Sequence, residues 1–314
     1  IIGDIHGHAD ALGKLLEKLG YIHRQGVFKH PERKTVFLGD LIDRGPENFK
    51  TMETVKAMTD NGRAQIVMGN HEFNALCYHT RDKDGNYLRP HSTKNTHQHE
   101  STLKEIRERG EAAWNNYLEW FRRMPLFLEM DGFRVVHACW DQPGIDQARE
   151  KKLRDSVGRL TDEFLVEAST PGTAGFDMLE TLLKGKEIWL PENHPGLYDK
   201  DNHLRRKVRV RWWMSDEQRR NARTYDHVTR THKENLGKLS TVKIPRDILD
   251  ALQRDGHRDD GLPVFIGHYW FSGTPVPLTG NVACLDYSVA KGGHLVCYRW
   301  DGEQRLDKSK FVWV

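Results

Sequence analysis

Three pairs of potential metal donors stand beside glycine in short stretches of this chain. Asp4 and His6 lie in GDIHG (3–7), Asp40 and Asp43 in GDLIDRG (39–45), and Asn70 and His71 in GNHE (69–72). Carboxylates, imidazoles and an amide oxygen together suit two borderline-to-hard divalent ions, and one Asp on a turn can bridge both. Glycine next to each donor lets the backbone turn sharply enough for the side chains to converge. Each stretch follows an apolar run: Ile1-Ile2, Val36-Phe37-Leu38, and Ile66-Val67-Met68. This predicts three strands whose C-terminal ends deliver donors to one crevice, the usual place for a site in an open α/β sheet.

Helices must lie between those strands. Leu12, Leu15, Leu16 and Leu19 form one apolar face ending at Gly20, and Phe49, Met52 and Val55 form a second stripe after Pro46. The strand–helix alternation predicts a mostly parallel arrangement with right-handed crossovers. Residues 79–100 read as a polar loop whose histidines (His79, His91, His97 and His99) show no ligand spacing, followed by a single long helix over 103–121. Segments 127–130 and 133–137 flank Asp131-Gly132 as a hairpin that ends on His137. Helical periodicity returns over 149–184, and 186–243 carries Trp189, Trp212 and Trp213 among arginines. Val264-Phe265-Ile266 leads into Gly267-His268, and strands at 281–286, 294–300 and 311–314 predict a second sheet packed on the first.

The 314 residues, 37% hydrophobic and 30% charged, allow a sizeable core. With no repeat or boundary in view, 1–314 reads as one domain. No apolar run approaches the length that spans a bilayer, so no membrane partner is expected. The chain opens inside its first strand, so a few residues, including an initiator Met, are expected ahead of it. Cys77, Cys139, Cys284 and Cys297 form no CxxC pair, which reads as free thiols in a cytoplasmic protein. A net charge of +3 argues for no partner.

In this order, GDxHG, GDxxDRG and GNHE resemble the signature of PPP-type phosphoprotein phosphatases, within the calcineurin-like metallophosphoesterases. The resemblance is tight over the first quarter of the chain and looser around His137 and His268. It implies an α/β fold, a two-sheet β-sandwich flanked by helices, with a dimetal site at strand C-terminal ends and an elaborating insertion at about 149–243. It implies Asp4, His6 and Asp40 as ligands of one ion and Asp40, Asn70, His137 and His268 as ligands of the other. Manganese is the expected metal, with iron, zinc, cobalt or nickel as alternatives. His71 resembles the general acid, Asp43 its orienting partner, and Arg44 a phosphate-binding residue. The family's second phosphate-binding arginine falls among 205–223, where Arg211 and Arg223 are the candidates.

Anionic phosphate esters repel nucleophiles, and water is a weak one. Two ions lower the pKa of a bridging water and clamp the phosphoryl oxygens, so hydroxide attacks directly without a covalent intermediate. The resemblance therefore implies a metal-dependent phosphoric ester hydrolase, first a PPP-type phosphomonoesterase or protein phosphatase acting on phosphoprotein, nucleotide or small-molecule substrates. The alternative is a symmetrical diadenosine tetraphosphate hydrolase. The ending, GHYWFSG followed by 281–286 and Gly292-Gly293-His294-Leu295, looks more like bacterial members, which include such hydrolases and small bacterial protein phosphatases. In the hydrolase case the basic, tryptophan-bearing insertion would hold polyphosphate and stack on bases. From another class, a nucleic-acid-binding or end-processing protein is weighed on the arginines at 205–211. No nucleic-acid-binding signature or P-loop accompanies them, so nucleic acid is not an expected partner.

Overall fold

A computed structural model describes residues 1–198, 204–229, 238–254 and 261–314. Ile2 makes single bridges, parallel to Phe37 and antiparallel to Cys297. Helix α1 (Ala9–Lys18) buries Leu12, Leu15 and Leu16 completely, the face its spacing predicts. A hairpin of β1 (Ile22–Arg24) and β2 (Val27–Lys29) precedes β3 (Thr35–Phe37). Helix α2 (Asn48–Asp60) carries the chain to β4 (Ala64–Ile66), parallel to β3, and α3 (Asn70–His79) begins on the third glycine stretch itself.

The expected loop and long helix differ. Residues 93–109 are helical, because the Ser92 hydroxyl accepts the Asn95 N–H and caps α4 (Thr93–Arg109). The apolar stripe over 103–121 is cut by Gly110, whose φ of 92° no helix tolerates, so α5 (Glu111–Phe121) is separate. The hairpin of β5 (Phe127–Met130) and β6 (Phe133–Val136) forms as expected and delivers His137.

Helices α6 (Gln142–Glu150), α7 (Asp162–Ser169) and α8 (Ala174–Lys184) bury Ile145, Phe164 and Leu179 in the main core. Beyond them β7 (Glu187–Trp189), β8 (Leu197–Tyr198), β9 (Leu204–Arg205) and β10 (Lys207–Arg209) pair as β7 with β10 and β8 with β9. Two small clusters centred on Tyr225 and Val228 fill this region. Residues 199–203 and 230–237 of the expected insertion lie outside the described residues.

The C-terminal strands are β11 (Val264–Ile266), β12 (Val282–Cys284), β13 (Asp286–Tyr287), β14 (His294–Tyr298) and β15 (Phe311–Trp313). One sheet runs β12-β11-β6-β5, with β11 parallel to both its neighbours. Around Ile2, β3 and β4 lie to one side, and β14 with its antiparallel partners β13 and β15 to the other. The architecture is α/β; strand pairing alone does not establish the expected two-sheet sandwich. Side chains alternate along the strands as the pleat requires. Val36, Val135 and Phe265 enter one apolar cluster, while Phe37, Val136 and Ile266 enter another with the helices.

Candidate active site

The ends of β3, β4, β6 and β11 bring Asp40, Asn70, His137 and His268 together, and the turn after Ile2 adds Asp4 and His6. Asp40 sits at the centre. Its Oδ2 is 3.6 Å from His6 Nε2, 3.4 Å from His137 Nε2 and 4.0 Å from His71 Nε2. Asn70 Oδ1 lies 3.1 Å from His137 Nε2 and 2.8 Å from His268 Nδ1. Asp4 Oδ2 accepts the His268 N–H at 3.0 Å. All six side chains proposed as ligands converge here, and His71 and Asp43 adjoin them.

The backbone bends to achieve this. His6, Asp40, Asp43, Arg44, His268 and Trp270 all have positive φ although none is glycine. Their neighbours leave no room for larger residues: a Cβ on Gly267 would lie 1.9 Å from Asp4 Oδ1, and one on Gly69 would lie 2.3 Å from the Asp40 nitrogen.

The donor set fits cations. Three buried atoms of this set find no hydrogen-bond partner among the described residues: Asp4 Oδ1, His6 Nε2 and His268 Nε2. Asp40 belongs to two groups of mutually close donor atoms, one with His6 and His71 and one with His137 and His268. Burial, then the charges of Asp286 and Asp40, push the Asp4 carboxyl well above its usual range, a crowding that a cation relieves. Burial opposes ionisation of Asp40 too, but the imidazoles of His137, His71 and His6 outweigh it and hold its carboxyl well below that range. Burial and the positive neighbours His71 and Arg44 take His6 down to about 3, leaving a neutral ring with a free lone pair. His6 Nδ1 bonds the Ile42 carbonyl and His137 Nδ1 the Leu38 carbonyl, which aims both Nε2 atoms at Asp40.

His71 Nδ1 lies 2.5 Å from Asp43 Oδ2. Burial disfavours the charged ring, yet Asp40 and Asp43 raise its pKa overall. The other Asp43 oxygen is held by His99 Nδ1 at 2.7 Å and Thr102 Oγ1 at 2.6 Å. Sequence reading missed both, along with Glu72 and Asp286. Glu72 is fully buried, and its carboxylate accepts the N–H groups of Asp40, Leu41 and Gly69 at 2.8–3.0 Å, tying the second glycine stretch to the third. A carboxylate one step after GNH in the third stretch was the available signal. Glu72→Gln turns an acceptor into a donor facing a backbone N–H. It is expected to lower stability by about 1–3 kcal/mol, read as a lower unfolding midpoint in urea.

Arg44 Cζ stands 4.2 Å from the centre of the Trp270 ring, and Lys291 Nζ 3.5 Å from the same centre. Arg211 bonds the His227 carbonyl and Arg223 the Ala222 carbonyl. The arginine set against the last histidine is Arg209: after burial, its charge is the main influence that pushes His268 down, and it lies over Tyr269. Trp212 and Trp213 are buried, and Trp212 Nε1 bonds Ala138 O and Tyr269 Oη beside both late histidines. They brace the ligand loops and offer no face to a base.

A profile of the calcineurin-like phosphoesterases matches residues 1–233. The chain belongs to the calcineurin-like phosphoesterase family. It is a metallophosphoesterase, as the motif order implied. Among characterised relatives, the asymmetrical bis(5'-nucleosyl)-tetraphosphatase PrpE of Oceanobacillus iheyensis is 31% identical over 173 residues, 52% of this chain and 65% of the relative. A symmetrical bis(5'-nucleosyl)-tetraphosphatase of Marinomonas sp. is 32% identical over 178 residues, 52% of this chain and 54% of the relative. The chain thus spans less than two thirds of either relative's length. A yeast protein serine/threonine phosphatase structure aligns with all of this chain and 77% of its own at 15% identity and a TM-score of 0.47, too loose to argue from. Among the described residues no helix is long and apolar enough to cross a membrane.

Proposed function

We propose that this chain hydrolyses dinucleoside polyphosphates, the alternative weighed above, in preference to phosphoprotein. The observation that carries the reaction class is Asp40 shared between two groups of buried donors. The substrate class rests on the two relatives' names and on paired cations, Arg44 and Lys291, over Trp270. Asp4, His6, Asp40, Asn70, His137 and His268 would hold two divalent ions, manganese first. When bound, such ions supply an activated water and neutralise phosphoryl charge.

The chain's own groups do the rest. Arg44 grips phosphoryl oxygens, with Arg209 as the second cation. His71, with Nδ1 fixed by Asp43, delivers a proton from Nε2 to the leaving oxygen. Assays of the manganese-loaded protein with diadenosine tetraphosphate and phosphoserine and phosphotyrosine peptides test the reading. Higher kcat/KM on the dinucleotide supports it, and higher kcat/KM on a peptide overturns it.

Ligand loading carries a proton signature. Burial works against a charged His137, but Asp40 and Asp4 raise its pKa to about 10, so its Nε2 is protonated at pH 7. A cation must displace that proton. Calorimetric titration of manganese in buffers of different ionisation enthalpy is expected to show release of at least one proton at pH 7, with affinity rising at least about tenfold per pH unit below that pKa.

Two stacked sheets flanked by helices are part of this proposal. The apolar cluster that holds Val36 and Val296 from one set of strands and Val135 and Phe265 from the other supports them. We read 1–314 as one domain elaborated at about 149–243. A cytoplasmic setting is supported by four buried free cysteines.

A further inference from the structure

Helix α4 buries three of its seventeen side chains: His99, Thr102 and Ile106. Two of the three are polar, and both end on one carboxylate oxygen. His99 Nδ1 lies 2.7 Å and Thr102 Oγ1 2.6 Å from Asp43 Oδ1, and Thr102 Oγ1 also accepts the Asp43 N–H at 3.2 Å. Glu105 holds the helix in that register. Its carboxylate accepts the N–H groups of Asn48 and Phe49, at the start of α2, at 2.6 and 3.0 Å.

His99 is itself fixed. Its ring centre is 5.3 Å from that of Tyr78 and 5.8 Å from that of Trp114, and its Nε2 meets His79 Nε2 at 3.3 Å. Burial, then the charges of His99 and His91, take His79 down to about 4, so its ring is neutral at pH 7. One hydrogen lies between the two facing nitrogens. His71 and His79 stand at opposite ends of α3. The contacts close a circuit: His71 to Asp43, Asp43 to His99, His99 to His79, and back along α3 to His71.

That circuit limits where His71 can point. Asp43 is buried on a left-handed backbone, with φ of 71°. Burial opposes its ionisation, but His99 and His71 hold its carboxyl well below the usual range. It is therefore a carboxylate, and both Nδ1 atoms facing it carry hydrogen. Stripped of donors on Oδ1, it would leave a buried charged oxygen unpaired, which costs more than a neutral one. The carboxylate would turn to find a partner, and its other oxygen would release His71. We propose that His99, with Thr102 beside it, is a positioning residue for proton transfer: by occupying Asp43 Oδ1 it keeps Oδ2 on His71 Nδ1 and His71 Nε2 turned towards the donor cluster. This rests on the reading of His71 as the group that protonates the leaving oxygen. The contribution of His99 then grows with the basicity of the leaving group and vanishes when His71 is absent.

The test uses the manganese-loaded protein with phenyl phosphate and p-nitrophenyl phosphate, so it stands apart from the dinucleotide reading. Phenoxide is the stronger base and needs the proton more. His99→Phe keeps a ring and removes the donor, while His99→Asn returns an N–H near the place of Nδ1. In His99→Phe, kcat on phenyl phosphate is expected to fall about tenfold further than kcat on the nitrophenyl ester, with bound manganese and circular dichroism unchanged. His99→Asn is expected to recover most of that difference, and in a His71→Ala background His99→Phe is expected to add none. If His99→Phe does not fold, Thr102→Val removes the other donor to the same oxygen and is read by the same ratio. Equal losses on both esters, loss of bound manganese, or no loss on either overturns the role, as does a further leaving-group effect in the His71→Ala background. If His71→Ala itself lowers both esters alike, the proton-donor reading has failed and the positioning role falls with it. A leaving-group effect in His71→Ala with none in His99→Phe overturns the positioning role alone.

Discussion

Asp40→Asn is expected to lower manganese-dependent turnover by about 1,000-fold or more, the equivalent of about 4 kcal/mol of transition-state stabilisation. Of the two groups of close donors, His6 and His71 fall in one and His137 and His268 in the other, whereas Asp40 falls in both. The substitution keeps the shape and can keep the bond in which Oδ1 accepts the His71 N–H at 2.9 Å. It removes the charge that three imidazoles surround. The fold is therefore expected to survive, with near-native circular dichroism, while calorimetry shows metal stoichiometry falling from two towards one or none. Near-native turnover in this variant would remove the shared-carboxylate centre from the reaction.

His71→Ala is expected to separate substrates by leaving group. An alkoxide must be protonated as it departs, and loss of a positioned acid costs about 10²–10⁴-fold. Nitrophenoxide leaves without help, so p-nitrophenyl phosphate is expected to lose less than about tenfold on the same principle. Asp43 holds Nδ1, and Nε2 is the ring nitrogen turned towards Asp40. A nitrogen on that side is free to act on substrate only if it is not a metal ligand. Equal losses on both substrates, accompanied by loss of bound metal, would move His71 from proton donor to ligand, a role its distances also permit.

The glycine stretches made much of the centre legible because each donor lies next to the turn that aims it. His137 and His268 were legible as strand-end residues after apolar runs, and β6 and β11 prove to be adjacent parallel strands. The supporting shell was not legible. His99 and Thr102 meet Asp43 across 56 and 59 residues, from a helix whose polar composition reads as a loop. Glu72 works through backbone N–H groups on another turn, which leave no trace in side-chain pattern. Among the arginines of 205–223, charge alone does not say which one faces the site: β10 pairs with β7 and carries Arg209 towards His268, while Arg211 and Arg223 bond carbonyls within the insertion. Gly110 shows the same limit for helices, since an apolar stripe continues in register across a residue whose backbone does not.

Six of the eight non-glycine residues with positive φ lie in or beside the centre: His6, Asp40, Asp43, Arg44, His268 and Trp270. Left-handed backbone at such residues costs about 1–3 kcal/mol each, so the catalytic loops are a thermodynamic weak point. A laboratory evolution campaign scored on melting temperature alone would therefore enrich glycine at the exposed Arg44, returning hardier proteins that turn over poorly. Heat resistance and activity have to be selected together in this chain, because residues proposed for the chemistry are among the ones under conformational tension.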